Sequence, residues 1–272
     1  MPLSGSFGAL LLRGLLAGLI AGLLAGIVGN FVGEPKVDAA IAIEEAAAPT
    51  PEHAQDSGTG HTHGETAHTH GETAHTHGDE AVVSRPWQKF GQFLANALAG
   101  MAFGAIVATA AHYARRFTAM PGHRLILGLG LGGWVAVVAV PFFKYPANPP
   151  AVGDPETINE RTLLWLASVV LGLVAVAAGV YIWKALRPRP ESLRLVAAAA
   201  GFVLVITLGY VLLPGVNEVG ADFPASLLWE FRAASLAVST ALWVGIALAF
   251  AALTEWSNRG GTRVAEAAAT AG

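Results

Sequence analysis

The chain alternates between long apolar stretches and shorter polar segments. Six stretches of 19 to 23 residues contain no Asp, Glu, Lys, Arg or His, and charged residues stand at their boundaries. Each stretch can cross about 30 Å of hydrocarbon as an α-helix, which satisfies its own backbone hydrogen bonds. The pattern predicts an all-α integral membrane protein with six transmembrane helices, over Gly14–Val32, Phe90–Ala111, Leu125–Phe143, Thr162–Trp183, Leu195–Asn217 and Ala233–Thr254.

The composition supports a membrane protein and argues against several other classes. Charged residues make up 13% of the 272 residues, against about 25% in soluble proteins, and mean hydropathy is +0.53. A net charge of −3 provides no basic field for nucleic acid. The lack of Cys excludes disulfides and thiolate metal sites. No phosphate-binding G-x-x-x-x-G-K motif occurs, so the chain by itself is not expected to be an ATP-driven motor.

Charge asymmetry predicts the orientation. The N-terminus, the second and fourth connections and the tail carry 10 of the 16 Lys and Arg residues but 3 of the 19 Asp and Glu residues. Positive residues favour the cytoplasmic side, so we expect both termini in the cytoplasm of an inner-membrane protein. The predicted regions are 1–32 (N-terminus and first helix), 33–89 (external loop), 90–254 (five helices) and 255–272 (tail). A cleaved signal peptide is the alternative for the first stretch, but no clear A-x-A site ends it.

The first external connection is the one long polar segment and is predicted to be a disordered, His-rich loop. It contains a His-Thr-His repeat of period seven, with a carboxylate in each copy. Clustered imidazoles bind Co²⁺, Ni²⁺ or Zn²⁺, and this affinity should be lost below about pH 6. The alternative is a low-complexity segment that is only solvating. The candidate metal ligands are His61, His63, His68, His70, His75 and His77.

The third and fifth connections look like related segments. Each is rich in Pro and Gly, carries Asn and acids, and leads into an Arg at the start of a span, Arg161 in one and Arg232 in the other. Their acids either form a vestibule that concentrates cations or are ordinary loop acids and helix caps. Asp154 followed by Pro155 is typical of a helix start. The candidate vestibule residues are Asn148, Asp154, Glu156, Glu160, Asn217, Glu218, Asp222 and Glu230.

Small residues recur every four positions in the first two stretches. The first stretch has a glycine stripe that favours close helix packing, at Gly14, Gly18, Gly22 and Gly26. One face of the second stretch and its edge comprises Asn96, Gly100, Gly104, Ala108 and His112. This face is either a packing surface or the wall of an ion path with polar ends. No stretch contains an ionisable side chain, so a proton relay within this subunit alone is not expected.

Segment 141–158 reads PFFKYPANPPAVGDPETI and is followed by Arg161-Thr162. Two further regions carry short motifs of interest. Residues 12–18 read LRGLLAG, and the fifth connection and its surroundings contain Leu213-Pro214, Asn217-Glu218, Phe223-Pro224-Ala225, Leu228-Trp229 and Phe231-Arg232. In these motifs the chain resembles the CbtA family of probable cobalt transporter subunits. The resemblance implies an integral membrane protein linked to cobalt supply for cobalamin synthesis, with a small single-span, His-rich CbtB partner. It supplies no ligand residues.

These observations lead to one expected function and several alternatives. We expect a non-enzymatic membrane subunit of a Co²⁺ uptake system, in which the His-rich loop captures the ion and the acidic vestibule receives it. Cobalt would be cargo, and no permanently bound cofactor is expected. The alternatives are a nickel or zinc transporter, a non-conducting metal-binding accessory or sensor protein, and, with least support, a membrane enzyme.

Overall fold

The computed structural model describes residues 3–47 and 84–270, and every regular element in these ranges is helical. Two helices contain a π-helical turn, at Gly29–Gly33 and at Val135–Ala139, and a 3₁₀ turn lies at Pro155–Thr157. The α-helices are α1 (Phe7–Val28), α2 (Glu34–Ala47), α3 (Arg85–Ala114), α4 (Gly122–Trp134), α5 (Val140–Lys144), α6 (Ile158–Ala185), α7 (Glu191–Leu212) and α8 (Ala225–Thr270).

Six of these helical segments are long and apolar enough to cross a membrane, which confirms the predicted number of spans. They are Phe7–Ala46, Arg85–Phe117, Gly122–Lys144, Pro155–Ala185, Glu191–Leu212 and Ala225–Arg259. The first has 40 residues and is therefore about 60 Å long at 1.5 Å per residue. This is about twice the hydrocarbon thickness of a bilayer, so a helix that crosses the bilayer through α1 places much of α2 beyond the hydrocarbon layer.

The helices extend into the segment that the sequence pattern assigns to the external loop. Residues 34–47 continue the first helix, and α3 already begins at Arg85. Alanine-rich sequence favours the helix in α2. Arg85 also pairs with Glu34 at 2.8 Å and with Asp38, so charges that suggested a loop instead join α2 to α3. The predicted His61–His77 repeats lie outside the described residues.

α1 and α3 pack through direct backbone contact. A Cβ atom on Gly18 would overlap the carbonyl oxygen of Gly100, and one on Gly14 would lie 2.5 Å from the carbonyl oxygen of Gly104. Glycine on both helices therefore permits an approach that any side chain would prevent. The predicted glycine stripe is a packing surface, and it covers the face of α3 that carries Gly100 and Gly104.

The core lies among α1, α3, α4 and α8, while α6 and α7 form a peripheral hairpin. Phe250, Leu10, Ile126 and Ile246 are fully buried in this core. The hairpin is attached through α6, where a Cβ atom on Gly172 would lie 2.5 Å from the carbonyl oxygen of Ala136 in the second π-helical turn. Within the described chain, α7 has no buried residue, so its outer face is free for lipid.

The bundle has two distinct ends. At the first, which we call the termini end, Ser4 donates to Asn258 (2.7 Å) and Arg13 donates to Ser257 (2.6 Å). At the opposite end, the loop end, lie the connections 145–157 and 213–224 together with α2. α8 also begins at this end, at Ala225.

Candidate functional site

The connection 145–157 reverses direction through two residues with positive φ. These are Ala151 (φ +65°) and Gly153 (φ +124°), values that L side chains rarely adopt. Asp154 then accepts a hydrogen bond from the Glu156 N–H at 2.8 Å and starts the 3₁₀ turn that leads into α6. The predicted Asp-Pro helix start is thereby confirmed, and it sets the direction in which α6 enters the bundle.

Side-chain donors join this connection to the neighbouring end of α7. Lys144 donates to the Tyr210 carbonyl oxygen at 2.9 Å, and the Tyr145 hydroxyl donates to the Pro214 carbonyl oxygen at 2.7 Å. Tyr210 returns a hydrogen bond to the Val140 carbonyl oxygen. Burial raises the pKa of Tyr145 above its usual value.

Glu218 in the fifth connection is held by two donors from the third connection and one from the first turn of α6. Its carboxylate accepts from the Thr157 hydroxyl at 2.6 Å and the Asp154 N–H at 3.1 Å, and it pairs with Arg161 at 3.0 Å. These interactions, the Thr157 hydrogen bond first, lower the pKa of Glu218 against the opposing effect of burial. Only 16% of the side chain is exposed, so the carboxylate links the two connections.

A second contact crosses in the opposite direction. Arg232, which follows the fifth connection, donates to Asn148 Oδ1 at 2.9 Å and to the Ala147 carbonyl oxygen at 3.4 Å in the third. The helix that follows each connection therefore supplies an arginine to an acceptor in the other connection. The acceptors differ, because Arg161 contacts the Glu218 carboxylate and Arg232 contacts a neutral amide.

These contacts surround a cavity of about 870 Å³ at the loop end. Among the predicted vestibule residues, Asn148, Asn217 and Glu218 line it. Apolar side chains, including Trp165 and Leu228, form part of its wall. The remaining polar side chains of the lining are Tyr145, Arg161, Thr162 and Arg232.

The other predicted acids are exposed and are not brought together in this cavity. Asp154 contacts Glu218 through its backbone N–H, and Glu230 pairs with Lys36 of α2. Each remaining acid stands on an exposed turn or helix end: Glu156, Glu160 and Asp222. Within the described residues no group of three His, Cys, Asp or Glu side chains could hold a metal ion.

Asn96 and His112 lie away from this cavity, on α3. The Asn96 side chain donates to the Gln92 carbonyl oxygen at 2.9 Å. His112 stands near the termini end, where its Nδ1 lies 3.0 Å from an Arg115 nitrogen and its ring lies 5.1 Å from that of Phe7. Between them, α1 covers the glycine face of α3.

Sequence reasoning did not assign Tyr145, Thr157 or Arg232 to the site. The signal for Arg232 was its position, because it follows the fifth connection as Arg161 follows the third. No pattern marks Tyr145, whose acceptor is a backbone carbonyl 69 residues away in the chain.

A family model described as a probable cobalt transporter subunit, CbtA, matches residues 7–255. The chain belongs to the CbtA family. The match covers both connections of the cavity and nearly the whole bundle, and it confirms the resemblance drawn from segment 141–158. No curated protein and no solved structure matches the chain. The CbtA assignment makes this protein a probable cobalt transporter subunit and a multi-pass membrane protein.

Stability of this CbtA chain should depend on the ionisation of Glu218. The folded-state pKa is lowered, so the contribution of the carboxylate is present above its unfolded pKa and is lost as pH falls through the folded value. We expect the thermal midpoint to fall as pH drops from about 5 to about 3, and E218Q to be less stable near neutrality with a smaller acid-induced change.

Thermal unfolding in detergent across this pH range measures the effect. E156Q is the matched control, because the Glu156 side chain is exposed and, within the described residues, makes no hydrogen bond or ion pair. Equal acid-induced losses in E218Q and the unsubstituted chain would contradict a structural role for the Glu218 carboxylate.

Proposed function

We propose that this chain is the membrane subunit that takes up Co²⁺ through the loop end of the bundle. The observation that carries the proposal is the joining of two acidic connections around one cavity in a member of the CbtA family. The distribution of Lys and Arg supports an external loop end and cytoplasmic termini in the inner membrane.

The first step is capture of the ion by the His repeats between α2 and α3. The starts of both helices lie at the loop end, where Arg85 pairs with Glu34 and Asp38 and Lys36 pairs with Glu230 of α8. The two helices that flank the segment with His61–His77 are therefore joined to each other and to α8 at the loop end. This placement favours transfer of captured metal to the loop end.

The second step is attraction by the exposed acids. Glu156, Glu160 and Asp222 are exposed, and Glu230, which is paired with Lys36, is exposed in the second turn of α8. Their summed field raises the local concentration of cations without requiring any of them to be a ligand. In this proposal the acids form the rim of the vestibule, while Asn148, Asn217 and Glu218 form its inner wall.

Passage through the membrane requires groups beyond the predicted α3 face. α1 packs on Gly100 and Gly104, which supports packing as the role of the face between Asn96 and His112. The predicted spans contain no ionisable side chain, whereas ion pathways in membranes generally use polar or charged groups. We propose that a small single-span partner of the CbtB type supplies the missing groups.

Cobalt uptake by cells that lack their own metal transporters tests the proposal. We expect cells expressing the full chain with such a partner to accumulate radioactive cobalt, and deletion of residues 53–80 to abolish uptake at low cobalt while sparing it at high cobalt. His repeats that concentrate the ion predict this difference. Absence of uptake at every cobalt concentration would contradict the function, and undiminished uptake by the deleted chain would contradict the capture step.

Two alternatives predict different outcomes. The lack of ionisable side chains in the spans favours a non-conducting accessory or sensor protein, which would bind cobalt but give no flux in proteoliposomes, with or without the partner. A nickel or zinc transporter would give flux that excess Ni²⁺ or Zn²⁺ suppresses more strongly than excess unlabelled Co²⁺.

A further inference from the structure

The cavity at the loop end carries an uncompensated positive charge. Its charged lining residues are Arg161, Arg232 and Glu218. Glu218 is paired with Arg161, whereas Arg232 donates to the neutral oxygens of Asn148 and Ala147. In the part of the chain that the structure describes, no carboxylate lies within ion-pair distance of Arg232. A bare divalent cation would therefore meet a net charge of +1.

The polar groups of the wall are mainly suited to donate hydrogen bonds. Asn148 Oδ1 already accepts from Arg232, and Asn217 Oδ1 accepts from the Val219 N–H at 3.4 Å. Glu218 already accepts three hydrogen bonds or ion-pair contacts. The amide NH₂ groups of the two asparagines and the remaining guanidinium N–H groups are thus left for a ligand. Such a set binds an oxygen anion better than a metal ion.

The cavity is much larger than a hydrated ion requires. Six waters occupy about 180 Å³ at their share of liquid volume, against about 870 Å³ here. Cavities of this size are typical sites for small organic molecules. Trp165 and Leu228 in the lining provide apolar surface for a carbon skeleton.

We propose that this cavity binds a small organic carboxylate that chelates the metal, with a carboxylate group of the complex on Arg232. The inference rests on the proposed function, since it gives the form in which cobalt reaches the inner wall. Inside the cavity, the uncompensated charge of Arg232 holds a carboxylate of the complex. Arg232 suits this role because its planar guanidinium binds carboxylates through paired hydrogen bonds.

Binding of radiolabelled citrate to the purified full chain tests the proposal, with and without equimolar Co²⁺. Two variants remove the free charge in different ways. R232Q deletes the cation, whereas N148D leaves the arginine in place and supplies the carboxylate that it lacks. We expect each to weaken binding of the cobalt–citrate complex about ten-fold or more, as loss of a charge-assisted hydrogen bond does.

Matched controls separate this effect from general changes of charge. N159D adds an acid at an exposed position of α6, and R189Q removes an arginine from the exposed α6–α7 connection; both should bind cobalt–citrate as the unsubstituted chain does. Binding of Co²⁺ without citrate should not fall in R232Q or N148D. If R232Q fails to fold, N148D alone decides the matter, because it strengthens the existing contact between the connections.

Several results would overturn the proposal. Unchanged cobalt–citrate affinity in N148D would remove Arg232 as the anion site. Competition by inorganic phosphate at the affinity of citrate would assign the cavity to oxyanions in general, and loss of citrate binding in anionic-lipid nanodiscs would assign it to a lipid headgroup. Cobalt uptake by cells expressing the N148D variant at the full rate would refute this inference and leave the proposed function intact.

Discussion

Replacement of Gly18 by valine is expected to prevent α1 from packing on α3. The added Cβ would overlap the Gly100 carbonyl oxygen and lie 2.9 Å from Met101 Cα. Both are backbone atoms, so no side-chain rotation relieves the overlap and the helices must separate. The cost should reach or exceed the upper end of the about 1–3 kcal/mol typical of overpacking. We expect little monodisperse protein on size exclusion in detergent and a strongly lowered thermal midpoint.

G8V provides the control for this experiment. Gly8 lies on the same helix, and a Cβ placed there meets nothing within 4 Å. Both substitutions replace glycine by valine on α1, and only that at Gly18 meets α3, so their difference reports the α1–α3 contact. If G18V and G8V gave the same yield and thermal midpoint, the close approach of the two helices would be wrong.

Replacement of Gly153 by valine is expected to disable the cavity while leaving the bundle folded. At φ +124° a valine is strained by about 1–3 kcal/mol. Its Cβ would also lie 3.1 Å from Arg161 Cζ, which displaces the arginine from Glu218. Since 1.4 kcal/mol corresponds to a ten-fold change in an equilibrium, we expect cobalt uptake to fall about ten-fold with little change in helix content.

G220V is the corresponding control in the fifth connection. A Cβ on Gly220 meets nothing within 4 Å, and the residue does not have a positive φ. Its uptake should therefore match that of the unsubstituted chain. Full uptake by G153V would show that the Arg161–Glu218 ion pair is not needed for transport. Equal losses of uptake in G153V and G220V would indicate that any substitution at the loop end impairs transport.

The six spans could be predicted because their cause, the length and lack of charge of each stretch, is local in the sequence. Uncharged stretches of bilayer length must become helices, and the glycine spacing of α1 indicates a face for close packing. The helix start at Asp154 was predictable for the same local reason, since it depends on adjacent residues. The extension of α2 was missed because its charges outweighed its alanine content in the sequence pattern, and the pairing of Glu34 with Arg85, 51 residues away in the chain, cannot be seen there.

The cavity was only partly predictable. Similar segments before Arg161 and Arg232 indicated that the third and fifth connections belong together. The contacts of Arg161 and Arg232 across these connections depend on how two irregular segments face each other. No repeating pattern in the sequence indicates that arrangement. Electrostatic reasoning from the sequence grouped all acids of these connections, whereas in the structure Glu218 is neutralised by Arg161 and Glu156 remains exposed on its turn.

The hydrogen bonds of Lys144, Tyr145 and Tyr210 have a consequence for how this end of the protein tolerates change over evolution. Their acceptors are the backbone carbonyl oxygens of Tyr210, Pro214 and Val140. A codon change at an acceptor position leaves its carbonyl in place, so Val140 and Pro214 can drift as far as their packing and backbone shape allow. The donor side chains have no such freedom, and since Tyr210 is both donor and acceptor, the inherited constraint on this junction falls on three codons out of five.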